Sequence, residues 1–295
     1  MIQLKDISYV RLGTRDLAGA SRYVHDILGL QTSQRFGNPK NGQSVCFRSD
    51  AREHTLVYFD GDPMDHTTGF ELSTHAELQA AAAQLQALGY AVKEGNADEC
   101  EQRRVKAFAA FKDPSGNAIE LVVAPFHSGV RFFPARDTGN TGFSHVGLRT
   151  TDAPRDEQFW TTVLSAKVSD RIGAAPLLRI DEIHHKIALF PSSHAGVQHI
   201  NHQVQSIDDL MRAWYFMQKH SVRVVFGPGR HPTSGAMFLY FEGPEGMVYE
   251  FSCGVRSVTD PNAIPRQFPF QPSSFCMWGS VPDIAEFRFT QVLHV

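Results

Sequence analysis

Apolar and polar residues follow two rhythms along the chain, and the order of those rhythms occurs twice. In the first round Ile7–Leu12 alternates with the period of two that a β-strand imposes. Leu17–Leu28 is helical in pattern, with Asp16 as its N-cap and Gly29 as its stop. Strands are expected at Leu30–Phe36, Ser44–Arg48, His54–Phe59 and Gly69–Leu72. In Glu77–Leu88, residues Leu78, Ala81, Ala82, Leu85 and Leu88 share one face of an amphipathic helix, which Gly89 ends. Ala107–Phe111 and Ala118–Val123 flank the turn Lys112–Asn117, a hairpin signal.

After a Pro/Gly-containing linker, Pro125–Thr141, the order begins again. It gives strand Ser144–Arg149, helix Pro154–Leu164, strands near Ala166–Ile172, Leu177–Asp181 and Lys186–Phe190, strand His199–Gln205, helix Ile207–His220, and strands Ala236–Phe241 and Met247–Cys253 around the turn Gly243–Gly246. Tyr9 aligns with His145 at an offset of 136 residues, Leu78 with Leu210 at 132, and Pro114, Gly116 and Glu120 with Pro244, Gly246 and Glu250 at 130. So slow a drift predicts two similar domains, 1–135 and 136–295, rather than a solenoid. Each reads β-α-β-β-β, with the unit occurring twice per domain, which makes the chain α+β. The tail 256–295 is aromatic and proline-punctuated and has no counterpart in the first half.

Composition narrows the function only by exclusion. The 295 residues carry a net charge of −3 and no basic run, so nothing marks a nucleic-acid binder. No signal peptide is apparent at Met1–Lys5, and no apolar stretch is long enough to span a membrane as a helix. Cys46, Cys100, Cys253 and Cys276 are scattered without a CxxC pair, as suits free thiols in a reducing cytoplasm. A small molecule and a second copy of the chain are the partners these totals leave.

The chemistry-bearing residues lie in the second round. His145, His199 and Glu250 come from three separate strands, and Glu250 is a charge inside an apolar strand, Val248–Phe251. A carboxylate there must be paired, protonated or bound to a metal. Two histidines and one carboxylate make a facial triad suited to non-haem Fe(II), and Mn(II) would suit the same ligands. A single strand histidine is ordinarily a hydrogen-bonded structural residue, and Glu120 shows that the carboxylate can be a feature of the fold. The first-round positions opposite the two histidines are Tyr9 and Thr67, so that copy cannot hold a metal in this way.

Five separated motifs carry a resemblance. They are Phe143–Leu148 (FSHVGL), His184–Leu189 (HHKIAL), Gln198–Val204 with Ser206–Leu210, Gly229–Pro232 (GRHP), and Tyr240–Phe251. In them the chain resembles the two-domain type I extradiol dioxygenases of the vicinal oxygen chelate (glyoxalase/bleomycin resistance) superfamily. The first half matches more loosely, through Asp113–Gly116 and Ile119–Leu121. The resemblance implies two tandem domains of paired βαβββ modules, each forming a curved, open, barrel-like mixed sheet around a central site. It implies that His145, His199 and Glu250 bind Fe(II), with His199 preferred to His202 by its spacing to Ser206–Asp209. It implies that His185 is an acid/base group, that Tyr240 and His231 hydrogen-bond substrate or oxygen, and that a catechol is cleaved by O2 beside its hydroxyls. His184 is expected to point away from His185 along a strand and is left out of the site.

Two departures bear on the substrate: Pro232–Gly235 stands where many relatives have Thr-Asn-Asp, and the loop between His185 and His199 is one residue shorter. Three other readings stand beside ring cleavage of a catechol: a hydroquinone dioxygenase using the same triad, a non-redox metalloenzyme of the superfamily, and a metal-free aromatic-binding protein. The tail, with Phe268, Phe270, Phe275 and Trp278, is expected either to cover the pocket mouth or to pack against the domain or a neighbouring subunit of a homo-oligomer.

Overall fold

The computed structural model describes residues 1–33 and 44–289. Its first half runs β1 (Asp6–Thr14), α1 (Leu17–Tyr23), β2 (Gln31–Thr32), β3 (Ser44–Arg48), β4 (Leu56–Asp60), β5 (His66–Leu72), α2 (His75–Ala87), β6 (Lys93–Glu94), α3 (Ala97–Arg103), β7 (Val105–Lys112) and β8 (Ala118–Pro125). The second runs β9 (Asn140–Thr150), α4 (Ala153–Thr162), β10 (Lys167–Ile172), β11 (Ala175–Arg179), β12 (Ile187–Pro191), β13 (Gly196–Val204), α5 (Ile207–Lys219), β14 (Val224–Arg230), β15 (Met237–Glu242) and β16 (Val248–Cys253). The tail adds β17 (Arg266–Phe268) and α6 (Pro272–Phe275).

These strands form two mixed, open sheets. The first has the order β2-β3-β4-β1-β5-β8-β7-β6 and the second β14-β15-β16-β13-β9-β12-β11-β10-β17. Each strand of the first sheet has an equivalent in the second, in the same spatial order; β17 alone is extra. Each half is therefore two βαβββ modules joined through their first strands, β1 antiparallel to β5 and β9 antiparallel to β13. The α+β expectation holds.

Helix starts follow local chemistry. Asp16, Thr74, Asn96, Asp152 and Ser206 each cap a helix by accepting from a backbone N–H of its first turn. Thr74–Glu77 and Asn96–Glu99 complete capping boxes. The apolar face of α2 packs Leu78, Ala81, Ala82 and Leu85 into the core that also takes Val10, Leu12, Val146, Leu148, Trp160 and Phe251. Among the described residues, no helix is long and apolar enough to cross a membrane.

The structure amends several expected boundaries. The helix from Leu17 is α-helical only to Tyr23, and Val24–Leu28 closes it as a π-turn before Gly29 at φ 69°. The strand expected at Leu30–Phe36 is Gln31–Thr32, with residues 34–43 outside the described residues. His54 precedes its strand rather than opening it. Short β6, α3 and β14 give little periodicity to read, and β14 carries Gly227, Pro228 and Gly229, which argue for a loop.

Candidate metal centre

Strands β9, β13 and β16 are neighbours near the middle of the second sheet, and each supplies one residue of the expected triad. Asn201 of β13 is in register with both His145 and Glu250, and His199 lies two residues away opposite Gly147. Gly147 is required there: a Cβ on it would stand 2.4 Å from His199 Nδ1. His145 Nε2 lies 2.9 Å from His199 Nε2 and 3.0 Å from Glu250 Oε2, and His199 Nε2 lies 3.5 Å from the same oxygen. All three side chains are buried, and their ligand atoms lie within 4.8 Å of one another.

The donors suit a divalent cation. Neither Glu250 oxygen accepts a well-formed hydrogen bond, although the residue is 1 % exposed. Burial alone would raise its carboxyl pKa; His145 and, more weakly, His231 and His199 outweigh that and hold it well below the usual range. Burial, with His145 beside it, pushes His199 down to about 3, so its imidazole is neutral and has a lone pair to offer. His199 Nδ1 hydrogen-bonds Gln198 Oε1, which fixes that lone pair on Nε2. Among the described residues Gln198 Nε2 has no partner, and the residue lines a cavity of about 150 Å³ that also touches Tyr58, His66 and Arg149.

Further side chains surround the triad. The His185 ring centroid is 4.3 Å from that of His145, and burial holds His185 well below its ordinary pKa. Tyr240 packs edge-on to His199 at 5.2 Å, and its hydroxyl is 3.3 Å from His231 Nε2. Burial, then the Glu250 charge, pushes the Tyr240 phenol well above its ordinary value, so it remains an O–H donor. His231 follows β14, its Nε2 3.7 Å from Glu250 Oε1 and its Nδ1 2.8 Å from the Phe275 carbonyl. All six residues singled out in the sequence thus converge. His202 does not join them: it is buried beside Phe143, and neither ring nitrogen has a partner among the described residues.

His184 departs from expectation. Residues 184 and 185 sit in a bend ahead of β12, not in a strand, so their side chains need not alternate. Their Nδ1 atoms are 3.0 Å apart, and His184 Nε2 is 2.7 Å from Asp170 Oδ2. Reading the pair as a strand concealed both His184 and Asp170.

Among the described residues, the equivalent place in the first half holds no such triad. Tyr9 stands for His145, and its hydroxyl donates to Glu120 at 2.5 Å. Arg103 Nε meets the other Glu120 oxygen at 2.7 Å, so a guanidinium supplies the positive charge. Burial, then Glu120, raises the Tyr9 phenol well above its ordinary value and keeps it a donor.

Comparison with known proteins gives this geometry a family. The profile of the Glyoxalase/Bleomycin resistance protein/Dioxygenase superfamily matches residues 6–121 and 142–251. The chain belongs to the Glyoxalase/Bleomycin resistance protein/Dioxygenase superfamily. Among relatives, an iron-dependent extradiol dioxygenase of Rhodococcus jostii is 27% identical, the match covering 94% of this chain and 97% of that protein. A 3-methylcatechol 2,3-dioxygenase of Pseudomonas putida is 29% identical over 73% of this chain and 79% of its own length. Of solved structures, a halotolerant catechol dioxygenase superposes with a TM-score of 0.86 at 22% identity, covering 98% of both chains. A Mn(II)-bound glyoxalase from Novosphingobium aromaticivorans gives 0.84 at 21% identity, covering 98% of this chain and 95% of that one. At those identities the superfamily fold is what the structures share. Extradiol dioxygenases recur among both the sequence relatives and the structural neighbours, in keeping with the resemblance carried by the motifs.

Proposed function

We propose that this protein is an extradiol dioxygenase that opens the ring of a catechol beside its two hydroxyls with O2, using Fe(II) held by His145, His199 and Glu250. The observation that carries the reading is the Glu250 carboxylate, buried without a well-formed hydrogen bond within reach of two histidine Nε2 atoms. Fe(II) bound there would acidify the catechol hydroxyls and bring ring and O2 to one ion.

The protein's own groups supply positioning and protons. His185, buried and neutral, is set to take a hydroxyl proton and later return one. Tyr240 and His231, joined at 3.3 Å, present an O–H and an imidazole to negative charge developing on oxygen. Phe190 and Phe287 pack against each other at 4.8 Å, Phe190 beside His199 and Phe287 beside Tyr240, and help to keep water from the site. The tail thereby forms part of the wall around the centre. The domain division at residue 135 and the catechol as partner belong to this same proposal.

Anaerobic reconstitution with Fe(II) or Mn(II), followed by a panel of catechols and hydroquinones, tests it. Stoichiometric O2 uptake with a yellow ring-opened product from at least one catechol is expected. Tight metal binding without O2 uptake on any of them would return the protein to the non-redox members of its superfamily.

A further inference from the structure

We propose that Asp170 and His184 are positioning residues for His185, forming a buried carboxylate–imidazole–imidazole chain that fixes its ring and its tautomer. The inference rests on the acid/base role proposed for His185 but makes a separate claim about where its proton sits.

Asp170 is fully buried, and its carboxylate is met by N–H groups on both oxygens. Arg266 donates from Nε to Oδ1 at 2.9 Å, from a terminal nitrogen to Oδ2 at 2.7 Å, and from its backbone N–H to Oδ1 at 3.1 Å. Arg256 donates to Oδ2 at 3.1 Å. A carboxylate so held is an acceptor only, so the 2.7 Å contact places a proton on His184 Nε2. The His184 lone pair then lies on Nδ1, 3.0 Å from His185 Nδ1. Two lone pairs cannot share that contact, so His185 Nδ1 carries the proton. Its own lone pair is left on Nε2, the nitrogen turned away from His184.

The alternative is a doubly protonated His184 donating to His185 and reversing that tautomer. Complete burial opposes the second positive charge and, despite Asp170, holds His184 below its ordinary pKa. When a catechol O–H bond breaks, its electron pair stays on oxygen and its proton adds to His185 Nε2. The imidazolium so formed is stabilised through Nδ1–H to His184 and through His184 Nε2–H to Asp170. Both arginines that pin Asp170 lie beyond β16, in the segment without a counterpart in the first half. The tail is thus tied to the carboxylate end of the chain.

The test begins without substrate. In metal-free protein labelled with ¹⁵N-histidine, the His185 signals, identified by their absence in His185→Asn, should show Nδ1 protonated and Nε2 bearing the lone pair. A proton on Nε2 would overturn the proposal. His184→Leu removes both hydrogen bonds, whereas the amide of His184→Gln can accept from His185 and donate to Asp170. With iron content and KM held within about twofold, His184→Leu should lower kcat by at least about tenfold and His184→Gln should recover most of it. Undiminished kcat in His184→Leu, or equal losses in both variants, would also overturn it. If the tautomer is found but no catechol is turned over, the positioning chain stands and the dioxygenase reading falls.

Discussion

Arg103→Leu should destabilise the protein by about 3 kcal/mol without touching the metal centre. Glu120 is 3% exposed at its side chain and has two partners, the Tyr9 hydroxyl and Arg103. Removing one member of a buried ion pair costs roughly 3–5 kcal/mol, because the remaining charge stays buried without compensation. The Arg103 side chain is 18% exposed, so its loss readmits some solvent and the low end of that range applies. Its stacking on Phe108, with the guanidinium carbon 4.3 Å from the ring centroid, adds about 0.5 kcal/mol, and Leu keeps the aliphatic packing. Urea unfolding followed by circular dichroism is the assay. With a slope of about 3 kcal/mol/M, the midpoint should fall by about 1 M. The double variant Arg103→Leu/Glu120→Gln removes the stranded charge while keeping an acceptor for Tyr9. It should lie within about 1 kcal/mol of the parent, recovering about 2 kcal/mol of the single variant's loss. A shift below about 1 kcal/mol in the single variant, or no recovery in the double, would refute the view that Arg103 supplies the cation Glu120 needs.

Three further outcomes follow from the second half. Gly147→Ala should fold but bind a divalent metal at least about tenfold more weakly, because its Cβ would occupy space filled by the His199 ring; metal titration with a competing chelator reads this. Gln198→Leu removes the acceptor for His199 Nδ1–H and should weaken metal binding by about 10–100-fold in the same titration, with the unfolding midpoint little changed. His202 is pushed down to about 4 by burial, so the unfolded chain takes up a proton that the folded one refuses between about pH 6.5 and 4. Its stabilising contribution is present above about pH 6.5 and is lost as pH falls through 4, by up to about 3 kcal/mol. His202→Leu should flatten that acid limb in urea titrations at stepped pH; an unchanged limb would remove His202 from the account.

The repeat, the fold class and the triad were legible because each leaves a mark in one dimension. Duplication shows as a constant offset, strands as a period of two, and Glu250 as a charge where an apolar residue belongs. The positions of β6, α3 and β14 were not legible: two are too short to show a period, and the third carries the glycines and proline of a loop. His184 was misread because alternation holds only inside a strand, and the bend at 184–185 lies outside one. Arg103 and Asp170 left no signal. An arginine on a short helix and an aspartate in an edge-proximal strand look like solvated charges until the sheet brings Glu120 to one and His184 to the other. Gln198 stood within a quoted motif, yet its bond to the neighbouring His199 depends on the register shift between Val197 and His199.

The pairing of Glu120 with Arg103 also bears on how the protein would fare when metal is scarce. One half carries its cation in its own sequence; the other, as proposed, must obtain one from the cell. A ligand that binds only the folded state stabilises it by RT ln(1 + [L]/Kd), so on the proposed reading metal supply would add to the stability of the structure around β9, β13 and β16. Where the metal is scarce, local opening and proteolysis should begin around β9, β13 and β16. The lifetime of the polypeptide would then report metal availability, sensed where the built-in cation is lacking.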